Sequence, residues 1–284
     1  MLSDHDADHD ADRVNDRDAG HLLAIAKAAT ATASELVRAS SPRTLTTKGD
    51  RDVTSDVDVA VETVVRDFLH KHTPHAGFLG EEEGGTSPGD GYRWILDPID
   101  GTINFLHHVP LCAISLSLVC DEVTLTSVID LPFLGAQYSA LRGYGAYANG
   151  TRLRVSTTHE LRNALVSIDQ YTFSNNASLK NDLRHKLVGH LATQVQRVRM
   201  FGTSAIELAW MAQGRLDACV MLGNKPWDTS AGVLIAQEAG ARVIDLDGSD
   251  HSPDSAATIA VTPALEHDLM SVVQSALADA APVN

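Results

Sequence analysis

Trp94-Ile95-Leu96-Asp97-Pro98-Ile99-Asp100-Gly101-Thr102 is an apolar run that breaks into two aspartates around a proline and then a glycine. The part from Arg93 to Asp97 has the composition of a buried strand. A Pro-Ile turn at its end lets Asp97 and Asp100 point at one site, and donors that are all oxygen suit a hard cation such as Mg²⁺. Gly101 permits close backbone approach, and a helix or turn starting there would aim free N–H groups at a phosphate. An ordinary turn is the bland reading. Two acids flanking a proline directly after a buried strand are hard to explain as packing.

Two further stretches carry the same signal. Upstream, Phe78-Leu79-Gly80-Glu81-Glu82-Glu83 is a second apolar strand running into carboxylates, one of which should complete a metal cluster. Downstream, Pro226-Trp227-Asp228-Thr229-Ser230-Ala231-Gly232 sets an acid at a helix start, where it can cap the helix and still present an oxygen to a metal. Singly these are a solvated acidic loop and a capped helix. In this order and with these flanks, they point to one cation site.

The bulk composition bounds the function classes. With 284 residues, 44% of them hydrophobic, the chain can form one large domain or two modest ones. A formal net charge of −15 argues against nucleic-acid binding, which rests on clustered Lys and Arg. It does not exclude an anionic substrate, because bound cations reverse the sign of a carboxylate-lined pocket. Cys112, Cys120 and Cys219 lack CxxC spacing and read as free thiols in a reducing compartment. No apolar run approaches the roughly 18 residues of a membrane span, and the chain opens on acids rather than a basic-then-apolar signal. A cytoplasmic protein without membrane contact is expected.

Residues 1–20 are expected to be a disordered acidic tail, since Asp, His, Ala, Arg and Asn offer no face to bury. Helical spacing follows from His21 to Ala39, and again through Val57, Val61, Val65, Phe68 and Leu69. Segments 113–120, 122–130 and 135–141 read as an antiparallel meander. After Ser156 strands alternate with helices, which divides the chain into an α+β subdomain (21–155) and an α/β subdomain (156–284) completing the site. Ser204 with Glu207 predicts a capping box, Leu216 to Leu222 a strand, and Asp228 to Gly240 a helix with a left-handed glycine cap. Thr262 and Pro263 read as the N-cap and first turn of a last helix.

From about residue 21 onward the sequence resembles the inositol monophosphatase family. Lys48 to Asp58 (KGDRDVTSDVD) is similar to its KGxxDxVTxxD segment, Gly80-Glu81-Glu82 to its GEE, and Asp97 to Phe105 (DPIDGTINF) to its DPIDGTxNF. Gly143 to Gly150 resembles its GxGAxxNG turn, Gly202-Thr203-Ser204-Ala205 its substrate-side loop, and Trp227 to Gly232 its WDxxAG. The resemblance implies a layered α/β/α/β/α sandwich of the carbohydrate phosphatase type, an α+β fold, commonly as a homodimer. It implies two or three Mg²⁺ ions: one on Glu81, Asp97 and the Ile99 carbonyl, another on Asp97, Asp100 and Asp228, with Asp52 and Glu82 as auxiliary groups. Thr102 and Asp58 would orient and deprotonate the attacking water. Asp100, Gly101, Thr102, Gly202, Thr203, Ser204, Met221 and Asp228 would face a small-molecule phosphate ester.

Met221 departs from the pattern. Inositol-specific members carry a Glu there that bonds ring hydroxyls, and a thioether accepts such a bond weakly. Either the substrate differs, with histidinol phosphate or a sugar (bis)phosphate as alternatives, or Met221 simply faces the core. A non-catalytic metal-binding regulatory protein on the same scaffold is the rival from another class. Retention of the whole expected ligand set and of the Thr102–Asp58 pair disfavours it.

Overall fold

The computed structural model describes residues 16–42, 44–49, 52–86, 91–171 and 177–280. In chain order the elements are α1 (Asp16–Ala39), β1 (Leu45–Gly49), β2 (Asp52–Ser55), α2 (Asp56–His72), β3 (Gly77–Gly80), β4 (Gly84–Thr86), β5 (Tyr92–Asp100), the five-residue α3 (Thr102–Leu106), β6 (Ala113–Cys120), β7 (Val123–Leu131), β8 (Ala136–Leu141), β9 (Gly145–Ala148) and β10 (Thr151–Arg152). The second half adds β11 (Leu165–Ile168), α4 (Ala177–Ala192), β12 (Arg197–Arg199), α5 (Ser204–Ala212), β13 (Ala218–Met221), α6 (Pro226–Glu238), β14 (Arg242–Ile244), β15 (Thr258–Val261) and α7 (Glu266–Asp279).

The elements stack in five layers. Ile25, Ala26, Ala29, Ala33 and Val37 form one stripe of α1, and Val57, Val61, Val65 and Leu69 one stripe of α2. Both stripes bury against Trp94, Leu96, Ile114, Leu116 and Val128 on one face of an eight-stranded sheet. That sheet runs in the order β10-β9-β8-β7-β6-β5-β3-β4 and is antiparallel except where β3 lies parallel to β5. Its other face, through Ala113, Ile129, Tyr138 and Ala140, packs on Ala205, Ile206, Ala209, Ala231 and Ile235 of α5 and α6. Those two helices bury their far sides, Leu208, Met211, Val233 and Ala236, against Cys219, Met221, Val243 and Ala260 of a five-stranded sheet ordered β12-β11-β13-β15-β14. Leu183 and Leu187 of α4 and Leu269, Val272 and Val273 of α7 close the outermost layer. The layered α+β sandwich is therefore the observed architecture, and its middle helices come from the second half of the chain.

Several boundaries differ from expectation. Helix α1 begins at Asp16, inside the stretch read as a tail, because a helix already nucleated by its apolar stripe extends through polar residues at one bond per residue. Residues 1–15 lie outside the described residues. The Gly143–Gly150 turn is longer than a turn: β9 pairs with both β8 and β10. Thr203 rather than Ser204 caps α5, its hydroxyl accepting from Ile206 N at 3.4 Å, so the expected capping box does not form. Thr262 makes no side-chain cap; a short 3₁₀ turn, Pro263–Leu265, precedes α7. Among the described residues no helix is long and apolar enough to cross a membrane.

Candidate functional site

Asp97 and Asp100 stand three residues apart on β5, a separation that ordinarily turns side chains to opposite faces of a sheet. Asp97 pairs with Ser115 and Asp100 with Ala113, two residues apart on β6. The extra residue is a bulge, and it returns Asp100 to the face Asp97 occupies. That face looks toward α6: Ser115 Oγ donates to Trp227 O at 3.3 Å, and the Ser117 and Ser230 hydroxyls lie 2.6 Å apart. Asp228 in the first turn of α6 is thereby brought beside the strand end.

Glu81 is set by pairing and by a buried acid. Strand β3 runs parallel to β5 with Gly80 opposite Leu96, and Glu81 N donates to Leu96 O at 3.2 Å. The Glu62 carboxylate of α2, fully buried, then accepts from Glu82 N and Glu83 N, each at 2.9 Å. Gly80 makes room for it, since a Cβ there would lie 2.3 Å from the carboxylate. Sequence reasoning missed Glu62. The available signal was its spacing of four from Asp58, which puts both acids on one face of α2.

Asp58 sits at the third position of α2 and is 1% exposed. Its Oδ2 accepts from Ser55 N at 3.1 Å while its own N–H donates to Ser55 Oγ at 3.4 Å, which makes a capping box; Oδ2 also accepts from Ser55 Oγ, and Oδ1 from Thr102 Oγ1 at 3.2 Å. The same hydroxyl lies 3.1 Å from Ile99 O. Burial, opposed by these hydrogen bonds, pushes the Asp58 carboxyl up to about 6. Asp97 accepts from Ile99 N at 3.1 Å and is pushed well above the carboxylate range, by burial first and then by Glu81, Asp100, Asp228 and Asp58. Asp100 is pushed up to about 6 by burial, against hydrogen bonds from Thr203 Oγ1 at 2.5 Å and Ala205 N at 2.6 Å.

The remaining expected residues fall as follows. Gly101 has φ +91°, and a Cβ on it would stand 2.9 Å from Leu111 O and 3.3 Å from Thr203, so the halves can meet here only over a glycine. Gly202, Thr203 and Ser204 form the turn that grips Asp100. Met221 is 2% exposed and packs with Leu208, Met211 and Val233, a core-facing position. Glu82 is partly buried beside Asp58. The Asp52 side chain, with Asp50 and Arg51, lies outside the described residues.

Glu81, Asp100, Asp228 and Asp58 add like charge beside buried Asp97, so full ionisation of these five acids is favoured by a cation among their oxygens. Among the described residues no three Asp, Glu, His or Cys side chains form a ready-made cage. Oxygen donors of this kind, carboxylates and a backbone carbonyl, suit hard cations such as Mg²⁺, Ca²⁺ or Mn²⁺.

A layered α+β sandwich with buried acids gathered where its two halves meet defines the class. Residues 18–278 match the model of the inositol monophosphatase family, and the chain belongs to that family. It is 30% identical to inositol monophosphatase 1 of Solanum lycopersicum over 259 residues, covering 89% of this chain and 94% of that protein. It is 35% identical to the Nus factor SuhB of Pseudomonas aeruginosa over 235 residues, covering 80% and 86%. The solved IMPase of Thermotoga maritima superposes with a TM-score of 0.84 at 28% identity, covering 91% of this chain and 99% of that one.

Proposed function

We propose that the protein hydrolyses a small phosphate monoester with Mg²⁺, and that Glu81, Asp97, the Ile99 carbonyl, Asp100 and Asp228 hold the ions. One observation carries the reading: Asp97 is buried with four other acids, Glu81, Asp100, Asp228 and Asp58, close enough to raise its carboxyl. Bound Mg²⁺ supplies acidification of a water and neutralisation of phosphate oxygens. Thr102 donates to Asp58, which leaves its hydroxyl lone pairs able to accept from that water. Asp58, with a carboxyl raised to about 6, is a base matched to near-neutral pH. The family resemblance puts the phosphate beside Gly101, Thr102 and the 202–204 turn, and Gly101 packs against Thr203 and Gly202 O of that turn.

Met221 is buried in an apolar cluster and faces the core, so it does not choose the substrate: an inositol phosphate is the first reading, with histidinol phosphate or a sugar (bis)phosphate as alternatives. A cytoplasmic homodimer without nucleic-acid contact completes the reading; the net charge of −15 supports its last part. Relatives named Nus factor give the rival, a regulatory protein without turnover. The test is phosphate release from a panel of sugar, inositol, histidinol and nucleotide phosphates, with and without Mg²⁺. Mg²⁺-dependent release that collapses in Asp97→Asn supports the proposal, and a purified protein inactive on the whole panel favours the rival.

A further inference from the structure

Glu207 belongs to no part of the acid cluster, yet it is 1% exposed on α5, in the layer between the two sheets. Instead of completing a cap, its Oε1 accepts from Phe201 N at 3.3 Å. The carbonyl of the same residue accepts from Asn104 Nδ2 at 2.8 Å, and the Asn104 amide also donates to Leu111 O at 2.8 Å. Phe201 is thus held from α5 on its N–H and from α3 on its carbonyl, with its ring edge-on to Trp210 at 5.1 Å. The chain then turns through Gly202, at φ +73°, and delivers the Thr203 hydroxyl to Asp100.

The second carboxyl oxygen explains why an acid can sit here. Oε2 and Ser167 Oγ are both buried without a hydrogen-bond partner, and Ser167 lies close enough to favour the charged form of the carboxyl. Burial, with Asp169 and Asp100 adding repulsion, pushes Glu207 well above the carboxylate range. A neutral carboxyl accepts from Phe201 on one oxygen and has a proton to offer Ser167 from the other. It adds no negative charge behind Asp100, where an ionised group would oppose the approach of a phosphate.

We propose that Glu207 is a positioning residue for the acid cluster: through the Phe201 N–H it fixes the 201–203 turn so that Thr203 and Ala205 N hold Asp100 in place. The proposal rests on the phosphatase reading for its effect on turnover. Replacing Glu207 by an apolar residue of similar length removes the cost of burying an acid and leaves the Phe201 N–H unpaired, two changes of opposite sign for stability. Activity and stability therefore separate, which they would not if Glu207 only supported the fold.

The experiment compares wild type, Glu207→Gln, Glu207→Met and Asn104→Ala in phosphate release against Mg²⁺ concentration, melting temperature, and amide exchange in the Phe201 turn. Gln keeps the acceptor and a donor, and its kcat and Mg²⁺ half-saturation stay within about twofold of wild type, while Met loses about tenfold or more in kcat and needs more Mg²⁺. In Glu207→Met, exchange quickens at 201–205 and the melting temperature changes little. Asn104→Ala, which frees the other side of the same peptide, shows the same pattern. Wild-type exchange and Mg²⁺ dependence in Glu207→Met overturn the proposal, as does equal loss of activity and melting temperature in the Gln and Met variants. Should Glu207→Met not fold, wild-type Mg²⁺ dependence in Asn104→Ala overturns it. A wild-type protein that releases no phosphate sinks the phosphatase reading instead. Exchange at 201–205 and the Mg²⁺-induced melting shift still decide the positioning role.

Discussion

Thr203 Oγ1 donates to Asp100 Oδ2 across 2.5 Å, a bond that joins the helix layer of the second half to the strand end of the first. The same threonine caps α5, so one hydroxyl serves both the helix and the acid. Thr203→Val should lose the cap, at about 1 kcal/mol, and leave Asp100 held by backbone alone. A lower midpoint in urea unfolding, together with weaker Mg²⁺-dependent activity, is the expected outcome. Thr203→Ser, which keeps the hydroxyl, should behave as wild type, and a Val variant with unchanged Mg²⁺ dependence would count against the bond's role in the site.

Glu62 makes a stricter demand. Its two carboxylate oxygens accept from two different backbone groups, Oε2 from Glu82 N and Oε1 from Glu83 N. A glutamine offers one oxygen, and its NH₂ would meet the other N–H donor to donor. Glu62→Gln should therefore cost about 1–3 kcal/mol in urea unfolding and loosen the turn that follows Glu81. Calorimetric titration should show weaker Mg²⁺ binding. Unchanged stability and affinity would mean that the turn holds itself.

How much of this was legible in the sequence divides along local and non-local lines. Asp97, Asp100, Glu81 and Asp228 announce themselves because each ends an apolar strand or starts a helix. The bulge that turns Asp97 and Asp100 to one face does not, since it exists only in the pairing of β5 with Ser115 and Ala113 on another strand. Glu207 was visible as the partner of a Ser204 cap, but Thr203 caps the helix one residue earlier and Glu207 accepts from Phe201 N in the core instead. Strands β9 and β10 were hidden for a simpler reason: four and two residues around glycines give no period to count.

Asp58 gives a pH signature. Its folded value of about 6 lies above the ordinary 3.8, so between those values the folded state binds more proton than the unfolded one. By linkage, that contribution to stability is present below about 3.8 and is lost as pH rises through about 6. In EDTA, urea unfolding at a series of pH values should show this loss, and Asp58→Asn should flatten it. His251 works in the opposite sense: burial lowers it from 6.5, so its share of stability is lost as pH falls below that value. His251→Asn should steepen the advantage of acid conditions. A profile insensitive to both substitutions would refute the assignment.

Gly232 tests the packing beneath Asp228. A Cβ at this position of α6 would lie 2.4 Å from Leu208 Cδ1 and 2.6 Å from Leu208 Cβ on α5, too close for the two helices to keep their separation. Leu208 is fully buried on α5 against the five-stranded sheet. Gly232→Ala should therefore force α6 outward at a cost of about 1–3 kcal/mol, less the small gain in helix propensity from alanine. Because Asp228 lies one turn earlier on the same helix, the displacement should also weaken Mg²⁺ binding. Leu208→Ala in the same chain removes Cγ and Cδ1 but keeps the Cβ contact, so partial recovery of Mg²⁺ affinity over Gly232→Ala is the outcome that ties the loss to this side chain. No recovery in the double variant would place the loss outside the Cγ and Cδ1 contacts.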